Sequence, residues 1–141
     1  MPNILVPVQT DRDTDWVANF LIKLHQRERI RVHLLSVQPP FTGHVRMFFA
    51  ESEIHALRRE DAQRQFALIR RALDAAGVPC NTHIVVGHLA EEITRLARAL
   101  HSPQIVMGPP RGRCLSDLVL GSLTRQVEQL MRVSGNACEV L

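Results

Sequence analysis

The sequence predicts an α/β fold: an open, five-stranded parallel sheet with helices on both faces. Short apolar runs alternate along the chain with longer segments whose apolar residues recur at helical spacing, which is the pattern of stacked βα units. Two of the short runs, Ile4 to Val8 and Ile105-Val106-Met107, are almost purely apolar, as strands covered on both faces must be. The length of 141 residues, with 45% apolar and 22% charged residues, suits a single domain over residues 1–141 with its own core. A chain of this size buries roughly 68 to 70% of its unfolded surface.

Each element has its own warrant. Ile4 to Val8 reads as a central strand, and Asp11-Arg12-Asp13 then places carboxylates where a helix N-terminus favours them. Trp16, Val17, Phe20, Leu21 and Leu24 form the stripe of that first helix. Ile30 to Val37 is a strand nearer one edge, followed by the loop Pro39-Pro40-Phe41-Thr42-Gly43. The second helix carries Phe66, Ile69, Leu73 and Ala76 and is stopped by Gly77 and Pro79. Its arginines, including Arg58, Arg59, Arg70 and Arg71, fall mostly off the stripe and read as a solvated face. Thr82 to Val86 is a third strand, and Leu89, Ile93, Leu96, Ala97 and Leu100 mark a third helix. Ile105 to Met107 is the second central strand. A fourth helix opens at Gly121-Ser122 and carries Leu123, Val127, Leu130 and Met131, and Ala137 to Leu141 ends the chain as a minimal edge strand.

Composition narrows the function. Seventeen basic against fourteen acidic residues give a net charge of +3, but the basic residues are scattered over helix faces, so a nucleic-acid binder is not indicated. Cys80, Cys114 and Cys138 are odd in number and widely spaced, which implies a reducing compartment and neither a disulfide framework nor a zinc site. No apolar stretch reaches the ~18 residues of a membrane span and no basic leader opens the chain, so a cytoplasmic protein with no membrane partner is expected. The motifs G-x-S-x-G and G-x4-G-K-[ST] are missing, and the only lysine is Lys23. His88 with Glu91 and Glu92 reads as a solvated helix start rather than a metal site, and His33 and His83 as hydrogen-bonded sheet histidines. Cys114, beside Arg113 and close to Arg111, is weighed as a redox thiol and read as inert.

In an open parallel sheet ligands bind beyond the C-terminal strand ends where strand order reverses. With the first and fourth strands adjacent, that crevice lies between Gln9-Thr10-Asp11 and the segment from Gly108 to Ser122. A Gly-Ser pair at a helix start offers amide donors and partial positive charge to a phosphate, and Arg111 and Arg113 add charge to the same loop.

Gly108, Gly121 and Ser122 keep the spacing of Gly-x2-Gly-x9-Gly-Ser/Thr, and with it the chain resembles the nucleotide-binding universal stress proteins. The likeness runs from Ile4-Leu5-Val6-Pro7-Val8 through Gly87-His88-Leu89-Ala90-Glu91-Glu92-Ile93 to Ala137-Cys138-Glu139-Val140-Leu141. It implies strand order 3-2-1-4-5 and a non-catalytic stress-response or regulatory protein that binds ATP, AMP or ADP, with magnesium alongside, and at most hydrolyses ATP slowly. Carried over by position, Met107 and Gly108 line the nucleotide, Gly121 and Ser122 hold phosphates, and Leu123 follows them. Pro7 and Val8 lie under the ribose and adenine, and Val37 offers its backbone to the base. A homodimer through the last strand is also implied. Two positions depart from the pattern: Gln9 replaces an acidic residue, and Arg111 replaces the second glycine. Gln9 still accepts a hydrogen bond; Gly112, one position on, supplies a displaced glycine, and Arg111 a charged fork for phosphate. Pro109 and Pro110 remove two amide donors. The competing expectation is a nucleotide-free homodimeric module that meets a protein partner through this loop and the edge strand.

Overall fold

The computed structural model describes residues 1–9, 12–40, 47–109, 117–133 and 139–141. Its elements are β1 (Asn3–Pro7), α1 (Thr14–Arg27), β2 (Arg31–Gln38), α2 (Glu51–Ala75), β3 (Cys80–Val86), α3 (Leu89–Ala99), β4 (Gln104–Ile105), α4 (Asp117–Val133) and β5 (Glu139–Val140). All strand pairs are parallel and the order is β3-β2-β1-β4-β5, as expected. Strand ends differ from the sequence reading by at most two residues. Although β4 is formally two residues long, the Val106 amide donates to the Leu5 carbonyl at 2.9 Å, and the Gly108 amide to that of Leu141 at 3.2 Å. Pairing therefore continues to the end of the apolar run.

The strand period of two sorts the core into two layers. Ile4, Val6, Val32, Leu34 and Val106 face α1 and α2, meeting Val17, Leu21, Phe66, Ile69 and Leu73. Leu5, Leu35, Ile105 and Met107 face α3 and α4, meeting Ile93, Ala97, Val127 and Met131. Such double burial is why β1, β2 and the run through Met107 lack polar alternation.

Helix ends follow local chemistry. Asp13 caps α1, its carboxylate accepting from the Trp16 amide at 3.1 Å. At the start of α2 the Glu53 carboxylate accepts from the Ala50 amide at 3.5 Å. Gly77, with φ of +72°, takes the left-handed conformation that ends α2, and the amides of Gly77 and Val78 return to Asp74 and Leu73.

Several expectations are corrected. Trp16 stacks on Phe20 at 5.2 Å but stays 40% exposed, while Ala18 takes the buried place, because α1 meets the sheet through Val17, Ala18 and Leu21. Ala76 is exposed because it lies past the last turn of α2. Arg58 does not lie on a solvated face: it is buried in line with Ile54, Ala62 and Phe66. Glu92 is buried too, with Arg95 holding both carboxylate oxygens at 2.8 and 3.0 Å. An acidic residue in the first turn of α3 is further favoured by the helix dipole.

The expected pairing of His33 and His83 is present and is part of a longer chain of bonds. Asn3 donates its amide Nδ2 to the Leu100 carbonyl at 3.0 Å, which turns its oxygen towards His33 Nε2, also at 3.0 Å. Nε2 of His33 is then the donor and Nδ1 the acceptor, so His83 Nε2 donates to it across 3.0 Å. Burial lowers the pKa of both rings, and for His33 the charges of His83 and Arg31 lower it further. A histidine whose folded pKa lies below its unfolded value contributes stability that is complete above about pH 6.5 and is lost as pH falls from there through the folded pKa. The denaturation midpoint should therefore drop between pH 7.5 and pH 5, and the His33→Gln, His83→Gln double variant should drop less over that interval. Parallel curves for the two proteins would refute the assignment.

Candidate functional site

The C-terminal ends of β1 and β4 define the point where strand order reverses. There Val6, Pro7, Val8, Gln9, Arg12, Thr14, Val17, Ile69 and Met107 line a narrow, half-open pocket of about 10 Å³. Four of the site residues expected from sequence, Pro7, Val8, Gln9 and Met107, thus come together, and Gly108 adjoins them through Arg12. The amide of Val8 donates to the Leu35 carbonyl at 2.9 Å, so β1 delivers Gln9 to the mouth of the crevice from a fixed strand end.

Gly108 is held by geometry as well as by motif. Its φ is +79°, and a Cβ there would lie 2.5 Å from Val17 Cγ2 and 3.5 Å from Trp16. Only glycine lets the chain leave β4 so close to α1.

Arg12 was not foreseen as a site residue. It is buried, its Nε donates to Gln9 Oε1 at 3.1 Å, and its Nη1 donates to the Gly108 carbonyl at 2.8 Å. One residue on, the Asp13 amide donates to the Pro109 carbonyl at 2.9 Å. The loop after β1 is thereby tied across the crevice to the loop after β4. The only sequence signal for this was an arginine between two aspartates at a helix start, where acidic rather than basic residues are favoured.

The remaining expected residues lie elsewhere or outside the described residues. Val37 pairs with Val85, and its side chain packs with the α3 and α4 layer. Leu123 faces a separate groove of about 600 Å³ between α3 and α4, bordered by His88, Glu91, Gln126 and Leu130. Arg111 and Gly112, the rest of that loop with Cys114, and Cys138 are outside the described residues. The last helix starts at Asp117, so Gly121 and Ser122 do not open it as expected but fall in its second turn. Since amide i bonds carbonyl i−4 in an α-helix, their amides belong to the helical ladder, and the free donors are those of the first turn. The apolar run Leu118-Val119-Leu120 extends the helical stripe backwards from Leu123, which accounts for the earlier start.

Other chemistry is sparse. Burial pushes the Cys80 thiol up to about 11, against the pull of Arg70 and with that of Asp74, which leaves it a poor nucleophile. Among the described residues no three His, Cys, Asp or Glu side chains are grouped to hold a metal, and no helix is long and apolar enough to cross a membrane.

An open parallel sheet of this order, with a glycine at the strand-order reversal held against the first helix, defines an α/β protein whose switch point lies between β1 and β4. The chain belongs to the universal stress protein family, whose sequence model matches residues 1–134. Among solved structures it is similar to the universal stress protein UspA from Lactobacillus plantarum, with 23% identity, a TM-score of 0.67, and 99% of this chain and 95% of that one covered. It is also similar to the universal stress protein from Archaeoglobus fulgidus in complex with dAMP, at 17% identity and a TM-score of 0.62, covering 100% and 96% of the two chains. The Arabidopsis thaliana family member with AMP bound aligns at 15% identity and a TM-score of 0.60, covering 100% and 90%. These likenesses establish the fold. Comparison with curated proteins found no match.

Proposed function

We propose that this protein is a non-catalytic regulatory member of its family, acting in the cytoplasm, that binds an adenine nucleotide beyond the ends of β1 and β4. The observation that carries the reading is the convergence of Pro7, Val8, Gln9, Met107 and Gly108 on that crevice, in a fold whose relatives include AMP and dAMP complexes. Pro7 and Val8 form the floor beneath the ribose and base, Val37 offers backbone groups to the base, and Met107 and Gly108 form the far wall. Arg111, Gly112, Gly121 and Ser122 are the residues this reading assigns to the phosphates, with Leu123 following them on α4. Ser122 contributes its hydroxyl, and Gly121, lacking a Cβ, permits close approach. The reading extends to ATP with magnesium, AMP or ADP as the nucleotide, and among the residues lining the crevice none is a general base for hydrolysis.

A second reading is a nucleotide-free homodimeric interaction module paired through β5. Two observations favour it: the pocket that the described residues form at the crevice holds only about 10 Å³, and Met47, Phe48 and Phe49 form a run of exposed apolar side chains. Calorimetric titration with ATP and AMP, with and without magnesium at fixed salt, separates the two. Micromolar or tighter binding is expected. No heat at millimolar nucleotide, with an unchanged melting temperature, would transfer the case to the second reading, and a concentration-independent monomer in light scattering would remove the dimer.

A further inference from the structure

We propose that the outer face of α2 binds a second copy of this chain, as an antiparallel helix pair about a two-fold axis. The inference is independent of the nucleotide reading and places self-association on α2 instead of β5. With 25 residues α2 is the longest of the described helices. It carries two of the three large apolar side chains that those helices expose, Leu57 at 44% and Leu68 at 64%. Its inner face is committed to the core through Ala62, Phe66, Ile69 and Leu73, and the two leucines point away from it.

Spacing and charge name the occupant. Glu53, Leu57, Asp61, Arg64, Leu68 and Arg71 follow one another at intervals of three or four, which keeps them in one stripe along about 27 Å of helix. Asp61 is half-buried and the other five are exposed. Run in the opposite direction, as an antiparallel copy presents it, the stripe is its own complement. Leu57 falls opposite Leu68, Asp61 opposite Arg64, and Glu53 beside Arg71, and the two-fold axis repeats each contact. Acidic groups thus meet basic ones and leucines meet leucines, with no like charges opposed along the stripe. A helix of another protein matches this order only by carrying it too.

The groups are ready for such a partner. Within one copy Arg64 lies 3.7 Å from Asp61, but both side chains are open to water, where such a pair contributes little. The amides of Gln38 and Gln65 donate to the Asp61 carboxylate at 3.0 and 3.2 Å, so it is already oriented when a second arginine arrives. The same register carries the exposed Phe49 towards Ala75 and Ala76 of the second copy, which are exposed at the end of α2.

A single helix pair is a small interface, and a dissociation constant on the order of 10 μM is expected. Sedimentation velocity over a concentration series measures it. Leu57→Glu and Leu68→Lys each strike both leucine contacts by symmetry, so at about tenfold per contact each should raise the constant about 100-fold. Both sites are exposed, and the denaturation midpoints should stay where they are. Mixed in equal amounts, the two variants should dimerise to within about tenfold of the unaltered protein. In the mixed pair one contact joins the new carboxylate to the new ammonium, and the other keeps both leucines. Neither a folding defect nor an interface elsewhere produces that recovery.

A monomer at every concentration would overturn the proposal and leave the stripe to a helix of another protein. Dimers that survive in both single variants would overturn it by placing the contact elsewhere, β5 included. Mixed variants that remain monomeric would overturn the antiparallel pairing.

Discussion

Replacing Gly108 with alanine should destabilise the protein by roughly 2 to 5 kcal/mol. Two independent costs combine. The backbone at φ of +79° is left-handed, which charges a residue with a Cβ about 1 to 2 kcal/mol. The added carbon would also stand 2.5 Å from Val17 Cγ2, well inside contact distance, and overfilling a packed core typically costs about 1 to 3 kcal/mol more. Val17 is not a flexible side-chain tip: it is buried on α1, packed in the layer of Val6 and Val106. Relief therefore requires α1 or the end of β4 to shift, and both border the crevice.

A chemical denaturation series checks this, and the Val17→Ala background resolves the two costs. Removing Cγ2 opens the space that the new methyl would need, so the Gly108→Ala penalty should shrink there, with a coupling of about 0.5 to 3 kcal/mol. The conformational part should survive in both backgrounds. A penalty below about 1 kcal/mol in the unaltered background would mean that the loop relaxes freely, and the rigid seam between β1 and β4 would have to be abandoned.

The fold was legible in the sequence because its signals are those of burial. The runs Ile4 to Val8 and Ile105 to Met107 are apolar for the reason that both of their faces are covered, and the structure places them side by side at the centre of the sheet. Stripes at helical spacing located the four helices among the described residues, and Asp13 and Gly77 marked ends that they do form. What escaped was polar burial. Arg58, Glu92 and Arg12 each look like surface residues to a pattern that sorts by hydropathy alone, and each is buried. Glu92 is inside because Arg95, three residues on, brings a counter-charge along the same helix face. Arg12 is inside because, besides the local Gln9 amide oxygen, it gains the Gly108 carbonyl, 96 residues away, which only the folded sheet brings near. Sequence spacing carries no trace of such a contact. For the candidate site the strand ends were readable, as Pro7, Val8, Gln9, Met107 and Gly108 converge, but the seam closing them was not.

Ser122→Asp should cost the protein its affinity for AMP and ATP, by about 100-fold or more, if the phosphates lie where the Gly121-Ser122 pair is proposed to meet them. Setting like charges against each other at a binding surface costs several kcal/mol, and each 1.4 kcal/mol is a factor of about ten. The helix position sharpens the expectation. With α4 beginning at Asp117, the Ser122 amide lies within the helical ladder, so the expectation rests on replacement of the hydroxyl. Adenosine, which brings no phosphate, should bind Ser122→Asp nearly as well as it binds the unaltered protein. Ser122→Ala should lose only the single hydrogen bond, about a tenfold effect for one made to a charged partner. Arg111→Gly restores the second glycine of the family pattern and removes the fork assigned to the phosphates, so it should weaken AMP by about tenfold while leaving adenosine alone. Unaltered affinity of Ser122→Asp for AMP, with cooperative unfolding retained, would take the phosphates away from α4. Tighter AMP binding by Arg111→Gly would show instead that the arginine obstructs the loop, and the phosphate contacts would then have to come from the first turn of α4, where the free amides are.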